Sequence, residues 1–82
     1  MRHQCTPVTD LDELIGREDG RACFRYGPIP EAMRRGEELV LEGSSHLSAI
    51  MLAKIRLVAE DLFLVETEER ILPGEGFRLV LA

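Results

Sequence analysis

Three stretches of the C-terminal half, residues 50–58, 62–66 and 77–81, carry apolar side chains at both odd and even positions. Read as strands, they are apolar on both faces, whereas a half-buried antiparallel strand shows a polar outer face. The chain has 82 residues with which to cover them. A domain of that size buries only roughly 60–65% of its unfolded surface. Closing the strands into a barrel hides the inner face and leaves the outer one in water. Each exposed Leu or Ile forgoes roughly 1.5–3 kcal/mol. A patch of several such residues drives association. The expectation is a homo-oligomer, a twofold dimer formed through one sheet face or by edge pairing of the final strand. The candidate interface residues are Ile50, Leu52, Val58, Leu62, Leu64 and Val80.

The rest of the chain is punctuated by turn residues. Residues 1–8 read as a loose N-terminal arm and 9–82 as a single small globular domain. Thr9 followed by acids at 10, 12 and 13 predicts a helix start over roughly 9–17, with Thr9 as cap. Asp19-Gly20 turns the chain into an alternating strand over 21–26. Pro30 with Gly36 brackets a one-turn helix. Residues 37–42 alternate as a strand. The 46–58 stretch is ambiguous: as a helix its apolar residues fall all round the wheel, while 53–57 alternates cleanly. This predicts a strand from about 50, with a helical start at 45–50 possible. A hairpin through Glu60-Asp61 leads to strand 62–67, and a final strand covers 77–82. The expected fold is mainly β (α+β), a small five-stranded antiparallel barrel or curled sheet with one short N-terminal helix. A two-layer α+β sandwich is the second choice.

Charge separates the halves. The net charge is −5. Residues 1–36 balance acids and bases, so all of the excess lies in 37–82. An acidic half repels phosphate backbones, which argues against a nucleic-acid partner. Phe24, Tyr26, Phe63 and Phe77 are too few to suggest base stacking. No apolar run approaches the ~18 residues of a membrane span, and the first ten residues hold no apolar stretch of the kind a signal peptide needs. A cytoplasmic protein with two reduced thiols is expected, with no membrane partner. The bases are nine Arg and one Lys, a bias that suggests a GC-rich bacterial source.

Candidate chemistry is sparse. His3, Cys5, Cys23 and His46 match a tetrahedral zinc site in ligand number, but only His3-x-Cys5 is local, so no metal site is assigned. Cys23 reads as a small core residue. Nothing places a base beside either thiol, so no catalytic residue is assigned and no enzyme is expected. Arg21, Arg25, Arg34 and Arg35 are the candidate ligand-binding set, able to form an anion site or else to pair with the excess acids. Glu66, Glu68 and Glu69 match no cation loop of known geometry. Pro73-Gly74-Glu75-Gly76 lacks the lysine of a phosphate loop. No cofactor is implied. The expected function is a non-enzymatic interaction or assembly module with an apolar sheet face and an acidic rim. The alternative is a small-molecule or anion-binding regulatory domain on the Arg21, Arg25, Arg34 and Arg35 side.

Overall fold

Residues 46–58 resolve as a helix. The computed structural model of the chain describes residues 1–20 and 23–82. In it Ala49–Val58 is helical, and Ser48 caps it by accepting from the Met51 N–H at 3.1 Å. The side chains between Ala49 and Arg56 are mostly strong helix formers, and the cap satisfies a free N–H without any distant partner. Local terms therefore outweigh the five-residue alternation that suggested a strand.

The elements run β1 (Arg2–Gln4), α1 (Leu11–Ile15), β2 (Gly16–Glu18), β3 (Phe24–Tyr26), α2 (Pro28–Arg35), β4 (Glu38–Glu42), α3 (Ala49–Val58), β5 (Leu62–Leu64), β6 (Glu69–Ile71) and β7 (Arg78–Leu81). A short 3-10 turn covers Ser44–His46. Among the described residues these seven strands form three small sheets, none of them closed. The five-stranded antiparallel barrel with one helix is therefore incorrect. The largest sheet has the order β1-β4-β7 and is parallel throughout. Parallel neighbours need long crossovers, and here α1 to α2 form one and α3 with the β5–β6 hairpin forms the other. No described helix is long and apolar enough to cross a membrane.

The expected loose arm contributes β1. The N-terminal ammonium donates to the Glu38 carbonyl at 2.9 Å, and the Cys5 N–H donates to the Glu42 carbonyl at 2.7 Å. The expected 9–17 helix is shorter, and Asp10 rather than Thr9 caps it, Oδ1 accepting from the Glu13 N–H at 2.8 Å. Gly16 ends it at φ 129°. A Cβ there would lie 2.3 Å from the Arg25 carbonyl oxygen, so the β2–β3 pairing requires glycine at this point.

Alternation along β4 sets the core. Leu39 and Leu41 are fully buried, while Glu38, Val40 and Glu42 face the other way. The register places Leu79 beside Leu39 and Leu81 beside Leu41. Against this face pack Leu14 from α1, Ile29 and Met33 from α2 and Ile55 from α3, all fully buried. The opposite sheet face carries Arg2, Val40, Val80 and Arg78. It is laced by Arg2–Glu42 at 2.5 Å and Arg78–Glu38 at 4.0 Å.

Candidate interaction surface

Along α3, only Ile55 is fully buried. Met51, Leu52 and Val58 pack partly against the core. Ile50 and Leu57, seven residues apart and so on one side of the helix, are 71% and 68% exposed. Ala49, Leu52, Ala53, Arg56, Leu57 and Glu60 follow the three–four spacing of one helical stripe, and they line a shallow groove of about 530 Å³. The two alanines allow another backbone to approach closely at that stripe.

A second groove of about 470 Å³ lies between the end of α3 and β7. Phe77, Leu79 and Leu81 form its apolar wall, and Arg56 and Glu60 belong to both grooves. The helix stripe and the strand are therefore one continuous surface. β7 is an edge strand. Its Ala82 N–H donates to the Leu41 carbonyl at 3.0 Å. By alternation, the backbone groups of Leu79 and Leu81 point away from β4. β7 carries neither Pro nor Lys, and its guards are its four-residue length and the exposed Arg78 at its start.

The six residues named from sequence do not share one sheet face. Ile50, Leu52 and Val58 lie on α3. Leu62 and Leu64 are buried on the inner side of the β5–β6 hairpin, which removes them from any free surface. Val80 sits half-buried on the outer sheet face. Ala49, Ala53, Leu57, Leu79 and Leu81 were missed. Their helical spacing at 49, 52, 53, 56 and 57 was the available signal, masked by the alternation of 53–57.

Arg34 and Arg35 line one open polar cavity of about 380 Å³ together with Glu31, and Arg25 is not among its lining residues. Arg25 on β3 lies 3.3 Å from Asp19. Arg34 stacks its guanidinium 4.9 Å from the centre of the Tyr26 ring. Arg35 pairs with Glu31 one turn earlier at 3.2 Å. Arg21 lies outside the described residues. The Tyr26 hydroxyl donates to Glu69, and this bond, helped by burial, raises the tyrosine pKa. Arg34 and Tyr26 thus tie α2 and β3 to β6.

The histidines and cysteines are also dispersed. His3 Nε2 is 2.8 Å from Glu13 Oε2, and the Thr9 hydroxyl donates to that same oxygen at 3.1 Å. Cys5 is 1% exposed, and burial, with the Glu13 charge as a lesser cause, pushes its thiol pKa up. That is the opposite of what a nucleophilic thiolate needs. Cys23 and His46 are exposed, so Cys23 is no core residue. Among the described residues no three His, Cys, Asp or Glu side chains are grouped to hold a metal.

No family model, curated protein or solved structure matches this chain.

Proposed function

We propose that the chain is a non-enzymatic interaction module that docks a protein partner on the α3 stripe and the β7 edge. One observation carries this reading. α3 is apolar round most of its circumference and yet lies at the surface, beside the edge strand β7. A helix apolar all round is normally a buried one. The grooves are shallow and continuous rather than enclosed, which suits a protein surface better than a small molecule. The free N–H and C=O groups of the edge favour a partner that offers backbone of its own.

The apolar surface moves from the sheet face expected from sequence to a helix stripe and a strand edge. Its margin is mixed in sign, with Arg56 and Arg78 alongside Glu60. A cytoplasmic setting remains part of the proposal, and an exposed Cys23 thiol suits a reducing compartment. The anion-binding alternative has less support, because Arg25, Arg34 and Arg35 each already engage a side chain of their own chain.

A photo-crosslinking amino acid placed at Leu57, in cells that make the protein, tests the docking surface. The expected result is a discrete adduct from position 57 and none from Thr67 on the hairpin turn. Absence of a discrete adduct from both position 57 and position 50 overturns the reading.

A further inference from the structure

We propose that the partner is a second copy of this chain, added across a twofold axis so that the two β7 strands pair antiparallel. The proposal presupposes the docking surface of the preceding subsection and names its occupant.

Two observations support a copy of the chain. The first is charge. A twofold interface presents the same patch to itself, so the patch must complement itself. A patch of one sign would repel its copy, but this one offers Arg56 and Arg78 together with Glu60 around a neutral apolar strip.

The second is the strand edge. With the axis through Val80, Leu79 of each copy lies opposite Leu81 of the other. These are the residues whose backbone groups face away from β4. They form hydrogen-bonded pairs across the axis, while Val80 keeps its bonds to β4. The register therefore satisfies the free groups without breaking existing ones. The result is one continuous six-stranded sheet with no free β7 edge. Leu79 and Leu81 line the groove beside α3, so pairing brings the two α3 stripes to the same side of that sheet.

Sedimentation velocity on the full chain tests the pairing. The expected result is a monomer–dimer equilibrium with Kd in the micromolar range. Leu81→Pro removes a free-edge N–H and no bond to β4, so it weakens the dimer at least about tenfold with an unchanged far-UV spectrum. Should that variant unfold, Leu57→Glu is the second arm. Leu57 is exposed in the free chain, so its replacement leaves the fold intact and weakens the dimer likewise. A wild-type chain that stays monomeric at ~100 μM overturns the proposal, as does a folded Leu81→Pro that dimerises like wild type. The mass of the crosslinked adduct at position 57 separates this proposal from the one beneath it. Twice the chain mass supports the second copy. A different mass removes the copy and leaves the docking surface standing. No adduct from either position 57 or position 50 removes both.

Discussion

Gly16 carries more of the N-terminal half than its size suggests. It is the hinge at which α1 becomes β2, at φ 129°, with the Arg25 carbonyl where a side chain would start. In sequence it reads only as a weak point inside the expected 9–17 helix, and the close approach of β3 is not legible, because that contact comes from a strand paired later in the chain. Gly16→Ala is expected to lower stability by at least about 1–3 kcal/mol, read as a lower urea midpoint. A midpoint equal to wild type would mean that the β2–β3 junction relaxes without cost. Cys5 shows the limit in the other direction. It lies in a stretch read as a loose arm because Pro7 forbids regular helix, yet it is buried once β1 pairs with β4. Its neighbours in sequence carry no signal of that pairing.

At the scale of elements, turn residues and alternation were the readable part. Gly36, in the left-handed region at φ 66°, ends α2 where the Pro-first, Gly-last pattern placed the stop. The Leu39, Leu41 face of β4 is the face the alternation defines. The 62–67 strand was read as the partner of 50–58, and instead β5 pairs with β6. The reason is again α3: once 49–58 is helical it offers no strand edge, and Leu62–Leu64 pairs with Glu69–Ile71, the next strand along the chain. Across the outer side of this hairpin, Arg70 donates to both Asp61 oxygens, at 2.9 and 2.6 Å. Those hydrogen bonds hold the Asp61 carboxyl below its ordinary value. A depressed folded pKa gives stability that is present above the unfolded carboxylate range, near 3.9, and is lost as pH falls through the lower folded value. Arg70→Gln is therefore expected to lower Tm slightly at neutral pH and to match wild type once the carboxyl is protonated. The pair is solvent-exposed, so the difference is small and shrinks with salt. An equal loss at acidic and neutral pH would show that Arg70 acts by packing instead.

At the scale of the molecule, topology was the part the sequence hid. A parallel β1-β4-β7 sheet joins strands separated by whole crossovers, and no local pattern announces which strands will meet. The surplus of apolar surface was legible, whereas its location was not. Ile50 and Leu57 expose part of it on α3, while Val8, Phe63, Val65 and Leu72 expose more on the N-terminal segment and around the β5–β6 hairpin of a slab measuring 32 × 30 × 20 Å, whose thickness is that of about two layers. Such a slab has no third layer with which to cover α3. A partner that binds only the folded chain stabilises it by mass action. If that partner is a second copy, Tm must rise with the concentration of the chain itself. Wild type is expected to melt several degrees higher at ~100 μM than at ~1 μM, where a micromolar dimer has largely dissociated. Leu57→Glu is expected to melt at one temperature throughout, near that of dilute wild type, since Leu57 is exposed in the free chain. Equal slopes for the two proteins would detach any self-association from α3. A flat wild-type slope would return the exposed stripe to an unlike partner.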